Sequence, residues 1–350
     1  VRLNPHYLPD PFIVGLVLTV TLASLLPCRG RAADAFGLLT NLAIGLLFFL
    51  HGAKLSRQAI MDGIGSWRLH LTVLLSTFLL FPLLGLAIRA LGRGWISTPL
   101  LDGVLFLCLL PSTVQSSIAF TSIARGNVPA AVCSASASNL LGIFLSPVLA
   151  GFLLGASTEG AHGMNAGAVE QITLQLLLPF VAGHLARPLL LSLLTRQHQI
   201  VDLVDRGSIL LVVYTAFSAA VVEGLWRKLS IGDLAIVLAL DAIVLGLVLT
   251  ATTLGARRLG FNREDEIAIV FCGSKKSLAS GVPIAGVLFP PAAIGVMIVP
   301  LMLFHQMQLM VCATLARRYA QRSMELHAPF KERGLMVSGE CRWPIIRSKN

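Results

Sequence analysis

The stretch that decides the reading is Ile267-Ala-Ile-Val-Phe-Cys-Gly-Ser-Lys-Lys-Ser-Leu-Ala-Ser-Gly-Val-Pro-Ile284, an apolar run that carries two adjacent lysines, Lys275 and Lys276, at its middle. A charge at bilayer depth costs about 2.5–3.5 kcal/mol on insertion scales and more on an isolated helix. Two of them need a polar cavity, a partner or a ligand.

The rest of the chain makes bilayer depth the relevant frame. Of 350 residues, 55% are hydrophobic and only 13% charged, and the mean hydropathy is +0.81. Soluble domains carry roughly 25% charged residues. Ten apolar segments stand out, at 11–27, 35–53, 69–91, 99–123, 128–154, 170–194, 208–225, 232–254, 267–288 and 292–316. Helices of about 20 residues cross the hydrocarbon and satisfy their own backbone. The expectation is an all-α polytopic membrane protein of ten transmembrane helices. The first run, Pro11–Pro27, is followed by Leu25-Leu26-Pro27-Cys28-Arg29, a poor cleavage pattern, and reads as a first span.

The net charge of +10 sits in loops and in the last thirty residues, so it points to topology and not to nucleic acid. Arg2, Lys54, Arg57, Arg68, Arg125, Arg187, Arg196, Arg206, Arg257, Arg258 and Arg263 fall on one side. Arg29, Arg31, Arg89, Arg93, Arg227 and Lys228 fall on the other. Both termini are therefore expected in the cytoplasm, with the chain in the plasma (inner) membrane. The cysteines Cys28, Cys108, Cys133, Cys272, Cys312 and Cys341 are scattered and without CxxC. They read as small buried residues, with no metal site and no cofactor expected. No GxxxxGK[ST] motif is present, which argues against an ATP motor in this chain.

Ten spans divide into two fives, 1–154 and 155–318, followed by a polar basic tail, 319–350. The fourth segment holds Pro111-Ser-Thr-Val-Gln-Ser-Ser-Ile-Ala and the ninth Cys272-Gly-Ser-Lys-Lys-Ser-Leu-Ala. Val128-Pro-Ala-Ala-Val then aligns with Pro290-Pro-Ala-Ala-Ile, and Pro147 with Pro300. An odd number of spans per half makes the halves inverted repeats. Polar breaks at matching positions of two halves mark the central site of secondary transporters.

These residues, with Leu8-Pro-Asp-Pro-Phe, Ala124-Arg-Gly-Asn and Leu178-Pro-Phe-Val-Ala-Gly, make residues 7–318 resemble the bile acid/sodium symporter family. The resemblance implies two inverted five-helix repeats, with helices 4 and 9 broken and crossing near the membrane centre. It also implies a sodium-coupled carrier of small or amphipathic organic anions, working by alternating access. Here the chain departs. Sodium-coupled members carry a glutamate and a glutamine in the ninth-helix break and an asparagine in the fourth. By motif position Phe271 or Cys272 stands near that glutamate and Lys275 at that glutamine. Like charges about 4 Å apart repel by several kcal/mol at intermediate dielectric. The chain looks more like the orphan branch of the family, proton-coupled or uncoupled.

The candidate ion and substrate site is Ser112, Thr113, Gln115, Ser116 and Ser117 of the fourth segment, Ser136, Ser138 and Asn139 of the fifth, and Ser274, Lys275, Lys276 and Ser277 of the ninth. The lysines admit three readings. An ammonium replaces sodium as a tethered cation, and since burial disfavours the charged amine it could exchange a proton. Alternatively it binds an anionic substrate group, or it pairs permanently with Asp241 or Glu223. His305, Gln306 and Gln308 interrupt the tenth segment, and His305 and Gln306 are further proton-partner candidates, as His51 is in the second. The serines could equally cap the break locally. Gly45, Gly52, Gly142, Gly183 and Gly246 read as close-packing points. The rival class is a non-transporting membrane sensor or regulatory subunit, its basic tail with Trp343 touching lipid or a partner.

Overall fold

The computed structural model describes residues 11–54, 66–154 and 166–327, all of it helices and their connections. In chain order these are α1 (Pro11–Leu25), α2 (Arg31–Lys54), α3 (Trp67–Leu91), α4 (Thr98–Leu109), α5 (Val114–Ile123), α6 (Val128–Leu154), α7 (Ala166–Arg196) and α8 (His198–Val222). A single turn, α9 (Leu225–Lys228), leads to α10 (Ile231–Arg258), α11 (Arg263–Gly273), α12 (Leu278–Leu288) and α13 (Pro291–His327).

Local sequence sets the ends. Ser230 and Asp233 form a reciprocal capping box at the start of α10. Asn262 caps α11, whose first turn carries Glu264, Asp265 and Glu266 against the helix dipole. Among the described residues, α2, α3, α6, α10, the α11–α12 pair and α13 are each long and apolar enough to span a bilayer. The α4–α5 pair would be a further span, bent by 62° at its break. The chain is an integral membrane protein. Its outer face carries Leu18, Leu39, Leu42, Leu185, Leu189 and Met310, an apolar surface that only lipid solvates well.

α11–α12 is the central element, with 94% of its apolar window buried against 22–44% for the other spans. Around it, Val104–Leu110 of α4 are all buried, Phe106 meets Phe289 edge-on at 5.2 Å, and Phe81 meets Phe304 at 6.1 Å. α2 and α7 approach closely because Gly52 lies on the Phe180 carbonyl and Gly183 on the Phe49 carbonyl. A Cβ would fall 1.9 Å and 1.8 Å from those oxygens. Gly142 packs on the Pro111 ring. Gly45 and Gly246, expected to do likewise, meet nothing within 4 Å.

The seventh segment starts ten residues earlier than its apolar run, at His198, and the tenth runs on to His327. The expected tail is thus helical in its first residues. Arg317-Arg-Tyr-Ala-Gln-Arg-Ser-Met-Glu-Leu-His has no glycine or proline to stop a helix once it leaves the apolar layer. Residues 328–350, including Trp343, lie outside the described residues, as do Leu8–Asp10 of the first motif.

Candidate functional site

The two breaks touch. The chain leaves α4 at Leu110 in an extended conformation and re-enters helix at Val114, while α11 stops at Gly273 and α12 starts at Leu278. The Ser277 N–H donates to the Pro111 carbonyl at 2.9 Å.

Each break frees carbonyls that need donors in a medium without water. Those of α11 are taken by hydroxyls. Ser274 Oγ donates to Val270 O at 2.6 Å, Ser117 Oγ to Phe271 O at 2.9 Å, Ser112 Oγ to Cys272 O at 2.6 Å and Ser76 Oγ to Gly273 O at 2.8 Å. Those of α4 are taken differently. Ser146 Oγ donates to Leu109 O at 2.7 Å, and Lys276 Nζ donates to Cys108 O at 2.9 Å and Leu110 O at 2.6 Å.

The third bond of Lys276 goes to Thr77 O at 2.9 Å. That carbonyl is available because Ser76–Leu80 of α3 is a π-helical stretch. Phe81 N–H reaches back to Ser76 O, and the next residue, Pro82, has no N–H to give. The Phe81 ring lies 4.0 Å from the same ammonium. Lys276 is fully buried and has all three protons on carbonyls, with a π face alongside. Gln308 of α13 fixes its backbone from both sides, accepting from Lys276 N at 2.9 Å and donating to Lys276 O at 2.8 Å. Gln308 Nε2 also lies 3.0 Å from His305 Nδ1.

Lys275 is equally buried but held loosely. Its Nζ is 3.5 Å from Ser116 Oγ, 4.0 Å from the Phe120 ring centre and 5.5 Å from that of Phe271. The ion pairs expected of the lysines are not made. Among the described residues no carboxylate lies within 4.0 Å of either ammonium. Glu223 is exposed at the end of α8. Asp241 is fully buried in α10, with no donor on either carboxyl oxygen. Helix-end carbonyls and ring faces supply the negative potential that an acid was expected to supply.

On the other side of Ser116 and Phe120 opens a cavity of about 550 Å³. Thr113, Gln115, Ser116, Ser136, Asn139, Ser277 and His305 line it, together with Ser280, Phe120 and Phe180. Asn139 Oδ1 accepts from Ser280 Oγ at 2.7 Å. Ser112, Ser117, Ser138, Ser274 and the two lysines lie behind the wall, and Ser138 Oγ accepts from Ser112 N at 3.1 Å. Asp241, Glu223 and Gln306 are not at the cavity. Its outer end holds charges that were read only as topology signals. Lys54 of α2 pairs with Asp205 and, at 3.6 Å, with Asp202 of α8, while His51 Nε2 is 3.9 Å from Asp205. Arg206 lines the same end, its guanidinium 5.9 Å from the Phe12 ring. Asp202 and Asp205 are three apart and so share a helix face. That spacing was the available signal. The partners of Lys276 had a fainter one, Pro82, and Gln308 was visible only as a polar interruption of the tenth segment.

The described residues form an apolar helical bundle, a membrane protein in which two broken helices meet beside a partly polar cavity. The chain belongs to the SBF-like CPA transporter family, whose match covers residues 10–321. The chain is 57% identical over 329 residues, 94% of its length and 98% of the relative's, to the uncharacterized protein PA2026 of Pseudomonas aeruginosa. It is 54% identical over 319 residues, 91% and 95% of the two lengths, to the Escherichia coli K12 protein named "Putative symporter YfeH". The sodium/bile acid cotransporter 7 of Danio rerio is 26% identical over 310 residues, 87% and 91% of the two lengths. The family is one of transporters, not of enzymes.

Proposed function

We propose that the protein is a secondary transporter of a small or amphipathic organic anion, working by alternating access without sodium. The observation that carries this reading is the Lys276 ammonium on the carbonyls of Thr77, Cys108 and Leu110. Carbonyls freed by a broken helix suit a coupling cation that arrives and leaves in each cycle. Here the cation is covalently attached and stays. In this reading α4–α5 and α11–α12 are the fourth and ninth of ten spans in two inverted repeats, 1–154 and 155–318. Both termini are cytoplasmic and the membrane is the plasma (inner) membrane. The bundle around the breaks moves against the helices that carry Lys54 and Asp205.

The cavity supports an anionic solute through the hydroxyl and amide groups at its inner end, with Lys275 behind one layer of side chains, while at its outer end Lys54 is already paired with Asp205 and Asp202. Two relatives bear the names symporter and cotransporter, which supports coupling to some ion. In this reading sodium is not the coupling ion and a proton takes its place, carried by Lys275 or by the buried carboxyl of Asp241. Solid-supported-membrane currents from purified protein, with organic anions screened and sodium and pH varied independently, test this. The expected result is a saturable current indifferent to replacing sodium by choline. Sodium stimulation of the current would overturn the reading.

A further inference from the structure

A second concavity lies on the lipid-facing side, between α10 and α13, far in character from the central cavity. It holds about 590 Å³ and is lined by Leu249, Leu254, Met310, Val311 and Leu315, with Thr250, Thr253 and Thr314 among them. The threonines do not make it polar. Thr250 Oγ1 donates to Gly246 O at 2.8 Å, Thr253 Oγ1 to Leu249 O at 2.7 Å and Thr314 Oγ1 to Met310 O at 3.1 Å, so each hydroxyl proton is taken by its own helix, and Thr253 also meets the Tyr319 side chain. One end of the groove is closed by Arg318, exposed and, among the described residues, without a carboxylate in ion-pair range.

Length and charge select the occupant. From Met310 to Arg318 a helix rises about 12 Å, at roughly 1.5 Å per residue. One leaflet's share of a hydrocarbon core about 30 Å thick is about 15 Å. An acyl chain laid in the groove therefore ends near Arg318, where its headgroup phosphate must lie. The exposed Arg258 ends α10 on this side, and the exposed Arg317 stands next to Arg318 in α13. A cationic end favours an anionic headgroup, and basic residues flanking spans attract anionic lipid by about 1 kcal/mol each.

We infer that the α10–α13 groove is a binding site for an anionic phospholipid, with one acyl chain along Leu249–Leu254 and Met310–Leu315 and its phosphate on the Arg318 guanidinium. The test is thermal denaturation of the delipidated full-length protein in detergent. Phosphatidylglycerol, phosphatidylcholine with the same acyl chains, or soluble glycerol phosphate is added. Phosphatidylglycerol is expected to raise the midpoint by several degrees more than phosphatidylcholine, and glycerol phosphate to leave it unmoved. Arg318→Gln should bring the phosphatidylglycerol shift down to the phosphatidylcholine shift, and Val311→Trp, which fills the groove, should diminish both. Equal shifts from the two lipids in the unaltered protein, a phosphatidylglycerol preference that survives Arg318→Gln, shifts untouched by Val311→Trp, or an equal response to glycerol phosphate would each overturn the assignment.

Discussion

Ser277 and Pro111, 166 residues apart in sequence, share a backbone hydrogen bond of 2.9 Å, N–H of the one to carbonyl of the other. This bond fastens the break between α11 and α12 to the break between α4 and α5. Around it the freed carbonyls are met by serine hydroxyls on the α11 side and by Ser146 together with the Lys276 ammonium on the α4 side. The two adjacent lysines consequently do different work. Lys276 completes the fold of the crossing, and Lys275 faces the wall of the cavity.

Removing the Lys276 amine should unfold the crossing. Lys276→Met strips the Thr77, Cys108 and Leu110 carbonyls of a shared donor, and each buried polar group left unsatisfied costs about 1–3 kcal/mol. A fall in thermal midpoint is expected, well beyond that of Lys275→Met, whose ammonium has one long contact and two ring faces. Size-exclusion profiles and melting curves of the two variants in the same detergent measure the difference. Equal destabilisation would contradict the division of roles.

Lys275→Met should instead keep the fold and lose solute current. Retention of wild-type current by well-folded Lys275→Met protein would remove this side chain from the transport site. The same assay with sodium and proton gradients imposed separately shows which gradient, if either, the loss concerns.

Asp241 sits in the apolar layer with no donor on its carboxyl. Replacing an unpartnered buried acid by an apolar residue of similar size relieves a desolvation cost, so Asp241→Leu should leave the melting temperature unchanged or raise it. If the carboxyl carries the coupled proton, Asp241→Leu and Asp241→Asn should both abolish pH-driven accumulation. A strong loss of stability in Asp241→Leu would mean that the carboxyl has a partner holding it.

The glycines separate close approach from mere permissiveness. Gly183→Ala places a methyl 1.8 Å from the Phe49 carbonyl, where only backbone could yield. Destabilisation of about 2 kcal/mol or more is expected. Gly246→Ala meets nothing within 4 Å in a helix interior and should stabilise by up to about 1 kcal/mol. Denaturation of both variants side by side decides.

Much of this was legible from residue order. Apolar run length located the helices, since the bilayer imposes about 20 residues per crossing on any sequence. The polar interruptions at Pro111–Ser117 and Cys272–Ser277 located the breaks. Of the serines proposed for the site, 112, 117 and 274 lie behind the cavity wall with their hydroxyls donating to backbone carbonyls, while Ser116 and Ser136 line the cavity. What could not be read was which donor meets which acceptor. Thr77 looks unremarkable in its segment, nothing in the order ties Gln308 to the Lys276 backbone, and Lys54, Asp202 and Asp205 look like loop-end charges.

The sequence by itself determined that the chain lies in a membrane, where its helices are interrupted, and that two ammonium groups stand at one interruption, because each follows from local composition and the solvation of single segments. Only the tertiary structure decided that, among the described residues, these ammonium groups have no acid in ion-pair range, that one is spent on three carbonyls, and that the cavity reaches a charged cluster on α2 and α8. Those outcomes depend on residues 148 to 199 positions apart meeting in space, with helix-end dipoles and ring faces replacing the carboxylate that pairwise charge arithmetic expects.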